Sequence, residues 1–202
     1  MSKPMRIRVT MAILVLSLGL GVSPASAQRR TRVRRAPVPA RIPAAGTWAV
    51  GGSLGAALPS DASLDKGLDV AGDIEGYLTP RVSVRGQLGG AWWDISGRHF
   101  TGSIKPVYLD GNLVYNWEGG AWHPYVTGGV GMYHYRSVES GVADGSDTEA
   151  GVNLGGGIEY FFTRDATVTG EALYHKVGTF NSPLAAFDGS FWTLSIGLKK
   201  YF

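Results

Sequence analysis

Residues 191–202 read FWTLSIGLKKYF, and this stretch decides the fold of the chain. Leu194, Ile196 and Leu198 occupy alternate positions, and polar residues such as Thr193 lie between them. A period of two places successive side chains on opposite faces of a β-strand. The stretch therefore predicts a strand with one apolar face and one polar face.

The same alternation recurs along the chain from residue 46 onward. The eight segments that show it are about 47–58, 68–78, 81–93, 105–117, 122–136, 149–162, 165–176 and 191–202. Tight turns alternate with longer polar loops, which lie at about 59–67, 94–104, 137–148 and 177–190. An even strand count with short and long connections in alternation is typical of bacterial outer-membrane barrels. The pattern predicts an all-β fold, an eight-stranded antiparallel up-and-down transmembrane β-barrel over residues 46–202.

Aromatic residues and strand length favour a barrel whose apolar face meets lipid. The aromatic residues near the predicted strand ends are Trp48, Tyr77, Trp92, Trp93, Tyr115, Trp117, Trp122, Tyr160, Phe162, Tyr174, Trp192 and Phe202. We assign them to the two aromatic girdles at the membrane interfaces. The predicted strands have 11–15 residues, which is enough to cross the hydrocarbon core, since a tilted strand needs roughly 9–11. A soluble secreted barrel with its apolar face inward is the alternative that alternation alone leaves open.

The first 27 residues have the pattern of a secretory signal peptide. Basic residues Lys3, Arg6 and Arg8 precede the apolar stretch 11–22, and the small residues 25–27 follow it. This order of basic, apolar and small segments marks an export signal that is removed from the mature protein. The apolar stretch is too short for a spanning helix, which needs about 20 residues. We therefore expect residues 1–27 to be a signal peptide and the chain to be exported.

Residues 28–45 have a different composition from the rest of the chain. They contain six arginines and no acidic residue, and three prolines follow the arginine run. Such a segment cannot bury a core, so it predicts a flexible periplasmic tail. The segment is either a solvated linker or a binding segment for an anionic partner such as lipid headgroups, lipopolysaccharide phosphates or a cell-wall polymer. No nucleic-acid partner is expected for an exported chain.

Two stretches carry a resemblance to a known family. Residues 195–202, SIGLKKYF, resemble the C-terminal assembly signal of bacterial outer-membrane proteins, with Gly197 and Phe202 at the matching positions. Lys200 departs from that signal, because it stands where an apolar residue is usual. Residues 122–131, WHPYVTGGVG, resemble a strand of the OmpA/OmpX-like family of small β-barrels. The resemblance implies a porin-like fold in the bacterial cell outer membrane, surrounded by outer-membrane lipid and lipopolysaccharide, and recognition of the last strand by the barrel-assembly machinery.

Charged residues on the polar strand faces define a candidate interior network. They are Asp73, Glu75, Arg85, Asp110, Glu159, Glu171 and Lys199. An eight-stranded barrel is just wide enough to be filled by side chains, and buried carboxylates need partners. We therefore expect Arg85 and Lys199 to lie among the carboxylates and to make the interior rigid. The alternative is a narrow gated ion path.

The sequence contains no motif for catalysis, and we predict no catalytic residue, cofactor or metal. A lipid A deacylase would carry His-x-Ser on a strand. The residues two positions after His99, His123, His134 and His175 are Thr101, Tyr125, Arg136 and Val177. We interpret each histidine as an interfacial or loop residue. The predicted function is a non-enzymatic outer-membrane barrel that acts in envelope integrity or in surface interaction through its extracellular loops. The alternatives are a lipid A-modifying enzyme and a small gated ion channel.

Overall fold

The computed structural model describes residues 43–94, 102–117, 119–139, 145–181 and 186–202. The predicted signal peptide and nearly all of the arginine-rich tail lie outside these residues. Within the described ranges, no helix is long and apolar enough to cross a membrane. The strands are β1 (Trp48–Pro59), β2 (Gly67–Tyr77), β3 (Val82–Asp94), β4 (Gly102–Asn116), β5 (Trp122–Glu139), β6 (Gly145–Phe161), β7 (Ala166–Val177), β8 (Thr179–Asn181), β9 (Ala186–Asp188) and β10 (Phe191–Tyr201).

Eight of these strands form a closed antiparallel barrel in the order β1-β10-β7-β6-β5-β4-β3-β2. The closing pair runs from Ala49 opposite Tyr201 to Pro59 opposite Phe191. Closure pairs the backbone groups that an edge strand would leave exposed, and lipid cannot satisfy such groups. The predicted eight-stranded up-and-down barrel is confirmed.

β5 and β6 extend well beyond the segments that the alternation of apolar residues predicts. β5 has 18 residues and β6 has 17, and their pairing continues to Ser137 opposite Gly145. The predicted loop at 137–148 is therefore shorter than expected, because backbone pairing continues where the side chains are no longer apolar. β8 and β9 form a separate two-stranded sheet inside the predicted loop 177–190. Three residues per strand are too few to show a period of two.

The outer surface of the barrel is apolar, and its interior is polar and aromatic. Leu154 and Ile196 are 69% and 70% exposed on the outer surface. The assignment of Tyr77 and Trp93 to the aromatic girdles was wrong, because these side chains are 3% and 0% exposed inside the barrel. On both strands the inward-facing residues have odd numbers, as Tyr77 and Trp93 do. The alternation therefore predicts which face of the barrel a side chain occupies better than its distance from the strand end does.

The last strand ends in contacts at the short-turn end of the barrel. Phe202 stacks on Trp48, with ring centroids 4.2 Å apart. Lys200 is exposed, and its Nζ donates to the Asp165 carboxylate in the turn between β6 and β7. That hydrogen bond, with one from Thr163, lowers the pKa of Asp165 below its ordinary value. The charge that departs from the assembly signal is therefore paired at the surface.

Candidate functional site

The half of the barrel interior near the short turns contains a cluster of buried charges, which we call the charged cluster (Glu75, Arg85, Glu159, Glu171 and Lys199). Arg85 Nε donates to Glu75 Oε2 at 3.0 Å, and Arg85 Nη1 donates to Glu171 Oε2 at 2.6 Å. Lys199 Nζ donates to Glu75 Oε2 at 2.6 Å and to Glu159 Oε1 at 2.8 Å. Two cations thus bridge three carboxylates, and the five residues come from five strands.

Hydroxyl groups complete the hydrogen bonding around the charged cluster. Tyr125 donates to Glu171 Oε2 at 2.8 Å. Ser83 donates to Glu75, and Tyr201 donates to Glu159. Asp73 is a fourth carboxylate, and its Oδ2 lies 3.8 Å from Lys199 Nζ. Hydrogen bonds to ionised groups are stronger than those between neutral groups, so these hydroxyls hold the carboxylates in place.

Strand pairing explains how these charges meet. Glu75 on β2 lies directly opposite Arg85 on β3. Lys199 on β10 lies opposite Gly51 on β1, and Gly51 lies opposite Asp73 on β2. A Cβ atom at Gly51 would collide with the Asp73 carboxylate. The glycine therefore lets the side chains of the neighbouring strands pass over β1.

The half of the interior near the long loops contains mainly rings, which we call the aromatic cluster (Trp93, Tyr108, Tyr133, His175 and Phe191). None of these residues is more than 1% exposed. His175 stacks on Phe191 at 4.4 Å, and Trp93 packs edge-on against Phe191 at 5.2 Å. The Tyr133 hydroxyl lies 2.9 Å from His175 Nδ1. The rings fill this half by packing, with few charges.

Three polar residues lie between the two clusters, and we call them the middle layer (Asp110, Asn112 and Asn153). Asn112 lies opposite Arg85, and Asn153 lies opposite His175. Asp110 Oδ2 lies 3.6 Å from His175 Nδ1. The middle layer therefore joins the charged cluster to the aromatic cluster along one side of the barrel wall.

The charged cluster leaves little free space beside it. A cavity of about 20 Å³ lies among residues that include Arg85, Tyr125, Glu171 and Lys199. A cavity needs roughly 10–15 Å³ on this measure to hold one water molecule. The space at this level therefore accommodates about one water and is not an open channel.

The structure places all seven residues of the predicted network on the inner surface of the barrel. Asp73, Glu75, Arg85, Glu159, Glu171 and Lys199 meet through the ion pairs above, whereas Asp110 lies apart, beside His175. The sequence places Tyr108 and Tyr133 on the inner face, but it did not predict that Trp93, His175 and Phe191 pack with them there. The interpretation of His175 as interfacial or loop was wrong, because it is 0% exposed inside the barrel. Its odd number on β7 matches the inward positions, and that signal was present in the sequence.

The interpretation of His123 as an interfacial or loop residue was also wrong. His123 is 2% exposed and packs against Phe161 at 4.9 Å.

A Cβ atom at Gly197 would stand 2.7 Å from Thr169 Oγ1 and 2.8 Å from the Gly52 carbonyl oxygen. That space fits glycine alone, whichever role the residue has in assembly.

Hydrogen bonds join two connections at the outer rim of the barrel. Asp61 Oδ1 accepts from the Ser63 backbone N–H at 2.9 Å, and Asp61 Oδ2 accepts from the Asp188 N–H at 3.3 Å. Asp188 Oδ1 in turn accepts from the Ser190 N–H at 3.0 Å. A hydrogen bond from the Ser63 hydroxyl, with these backbone hydrogen bonds, lowers the pKa of Asp61 below the ordinary value, and the hydrogen bond from the Ser190 N–H lowers that of Asp188. The rim is therefore held by ionised carboxylates.

The sequence and the fold both match known outer-membrane proteins. Residues 12–199 match the family described as outer membrane protein beta-barrel domain. No curated protein matches the sequence. The solved barrel of OprG from Pseudomonas aeruginosa is 16% identical, with a TM-score of 0.64 over 81% of this chain and 99% of OprG.

Two further solved barrels are similar. Neisserial surface protein A is 14% identical, with a TM-score of 0.63 over 78% of this chain and 99% of its own. Ail of Yersinia pestis, solved with the heparin analogue sucrose octasulfate, is 11% identical, with a TM-score of 0.58 over the same shares. Identities this low show the fold alone. Because the family match spans most of the sequence and the fold agrees with it, the chain belongs to the outer membrane protein beta-barrel domain family and lies in the bacterial outer membrane.

Proposed function

We propose that this protein is a non-enzymatic scaffold in the outer membrane that presents its extracellular loops for contact with partners outside the cell. The observation that supports the proposal is the filled interior. Lys199 and Arg85, in the half of the interior near the short turns, are each 4% exposed. His175 and Phe191, in the half near the long loops, are 0% exposed. A barrel closed at two levels does not serve as a pore, so the function lies on its surface.

The length of the strands supports a role for the loops. β5 and β6 have 18 and 17 residues, whereas a tilted strand needs only roughly 9–11 residues to cross the hydrocarbon core. The excess lies at the long-loop end, which is the extracellular end in barrels of this kind. The paired strands therefore carry the loops beyond the membrane surface.

The charge of the loops indicates the chemistry of a partner. The acidic residues of the four predicted loops are Asp61, Asp65, Asp94, Glu139, Asp144, Asp147 and Asp188, and the basic ones are Lys66 and Arg98. Complementary charge steers encounter and disfavours like-charged partners. We infer that the loops favour a basic surface, in contrast to the sulfated sugar analogue bound by Ail.

Binding by purified protein in zwitterionic vesicles tests this proposal. Vesicles with the wild-type protein should bind polylysine-coated beads more strongly than heparin-coated beads. A variant with Asp61, Asp65 and Asp188 changed to Asn should lose part of that preference, whereas Asp165→Asn at the opposite end should keep it. Equal binding of wild type and the triple variant would contradict a role for these loops.

Three further measurements test the competing functions. We expect no persistent conductance in planar bilayers and no change in the mass of added lipid A. Steady conductance would favour the ion channel, and deacylated or acylated lipid A would favour the enzyme. Loss of detergent resistance in cells without the protein, with no change in bead binding, would favour envelope integrity.

A further inference from the structure

The middle layer contains buried polar atoms without hydrogen-bond partners. Asp110 and Asn112 are 2% exposed, and Asn153 is 4% exposed. No side-chain polar atom of these three residues makes a close hydrogen bond, although the Asp110 carboxylate faces the Tyr133 hydroxyl and the Asn153 amide. Such atoms are rare in native proteins, and each one calls for an explanation such as a bound ion or water. Here six of them lie in one layer.

Glycines on β5 bring the middle-layer side chains together. Gly129 lies opposite Asn112 on one side and opposite Asn153 on the other. A Cβ atom at Gly129 would collide with Asn112 Oδ1, and one at Gly131 would collide with Asp110 Oδ1. The Asp110 and Asn112 side chains therefore lie across the β5 backbone, and Asp110 also approaches the Asn153 amide.

The charge of Asp110 is not balanced by the cations of the barrel. The ion pairs of Arg85 and Lys199 among the described residues go to Glu75, Glu159, Glu171 and Asp73. His175 Nδ1 is 3.6 Å from Asp110, and it already faces the Tyr133 hydroxyl at 2.9 Å. An isolated buried carboxylate is costly unless a positive charge or a proton neutralises it.

We propose that the middle layer binds a hard cation, Na⁺ or Ca²⁺, through the oxygens of Asp110, Asn112 and Asn153. Carboxylate and amide oxygens are the ligands that such cations prefer. Gln87 lies directly opposite Asp110 on β3, and its Oε1 also lacks a partner, so it adds a fourth protein oxygen. One carboxylate and three neutral oxygens make a set of hard ligands, and water would complete the coordination of Na⁺ or Ca²⁺.

The proposed cation site has few acidic side chains, because most of its oxygens belong to amides. The described residues contain no group of three or more His, Asp or Glu side chains that could hold a metal ion. The oxygens of the proposed site come mostly from amides, so the site does not need a group of acidic side chains. The site lies between the charged cluster and the aromatic cluster. A cation there would neutralise Asp110, which the ion pairs of the charged cluster do not reach.

The test uses the whole mature protein refolded in detergent with choline as the only added cation. Na⁺, Mg²⁺ or Ca²⁺ is then added, the protein is desalted, and bound metal is counted by mass spectrometry. We expect about one Na⁺ or Ca²⁺ per chain and a rise in unfolding temperature of about 5–10 °C at a cation concentration 100-fold above Kd. Equal concentrations of choline chloride should give no such rise.

Variants separate this site from a general effect of salt. Asp110→Asn should abolish retention and the temperature shift, and Asp73→Asn, beside Lys199, should keep both. If Asp110→Asn does not fold, Asn112→Ala, which keeps the charge, should weaken binding at least about tenfold, as expected for the loss of one ligand. A wild-type protein that retains no cation, or a shift equal in wild type and Asp110→Asn, would overturn the proposal and assign the layer to bound water or a protonated carboxyl.

Discussion

In the charged cluster, Arg85 and Lys199 hold carboxylates from three other strands by hydrogen bonds of 2.6–3.0 Å. In the aromatic cluster, the rings of His175 and Phe191 stack 4.4 Å apart, and the hydrogen bonds are few. Both halves fill the barrel interior, but they respond differently to damage. A packed ring can be exchanged for another apolar group, whereas a buried ion pair fails when one partner is removed. The charged cluster is therefore the more fragile half.

Removal of Lys199 should have the largest effect. Lys199→Met leaves Glu75 and Glu159 without their shared cation, and loss of one partner of a buried pair costs about 3–5 kcal/mol. The measurement is the free energy of unfolding by urea in lipid vesicles. The matched control is Lys200→Met on the next residue, whose exposed pair with Asp165 is screened by solvent and should contribute much less. Equal losses for the two variants would refute the distinction between buried and surface pairs.

The boundary between the two halves should be the next most sensitive part. Gly129→Ala places a Cβ against the Gly111 carbonyl oxygen and Asn112, and overpacking of this kind costs about 1–3 kcal/mol. Gly76→Ala on β2 has nothing within 4 Å and is the control. The same urea titration measures both. A tolerated Gly129→Ala would show that the middle layer is loosely packed.

How far the sequence could predict this architecture depends on which signal each residue carries. The period of two identified every strand of the barrel and placed Glu75, Arg85 and Lys199 on the inner face. It did not predict β8 and β9, because three residues cannot show a period. The prediction placed Tyr77 and Trp93 in the aromatic girdles because they lie near strand ends. Their odd numbers correctly indicate the inner face.

The partners within the interior lie beyond what the pattern of one strand can predict. Glu75 and Arg85 meet through the register of β2 and β3, and Lys199 reaches the same carboxylate across the closing seam. Register across eight strands depends on every turn length and on the shear of the barrel. Alternation gives the face of a residue but not its height, so Asp110 could not be separated from the charged cluster.

Removal of matched hydroxyls compares the two halves directly. Tyr201→Phe removes a donor to the Glu159 carboxylate, and hydrogen bonds to charged groups contribute about 1.5–3 kcal/mol. Tyr133→Phe removes a contact with His175, and a neutral hydrogen bond contributes about 0.5–1.5 kcal/mol. Both changes keep the ring, so packing is held constant. A larger loss for Tyr133→Phe in urea unfolding would reverse the ranking of the two halves.

The rim should give the smallest effect, and it should depend on pH. Because the pKa of Asp61 and of Asp188 is lowered in the folded protein, their hydrogen bonds stabilise the rim above pH 3.8, the ordinary value. The stabilisation is lost as the pH falls through the lowered folded pKa. Hydrogen exchange at the Asp188 and Ser190 amides, corrected for intrinsic rate, should therefore accelerate below pH 3.8. Exchange in β10 should stay slow, because the rim can open locally while the barrel stays closed.

Substitution at the rim separates this local opening from acid unfolding of the charged cluster. Asp188→Asn removes one titrating group and should give Ser190 an exchange rate that no longer changes with pH in that range. Unfolding of the whole barrel would instead expose the β10 amides at the same pH in both proteins. If the β10 amides and the Ser190 amide lost protection together, the rim and the charged cluster would form one cooperative unit. Separate loss would show that the loops open while the interior stays intact, as a scaffold for surface contact requires.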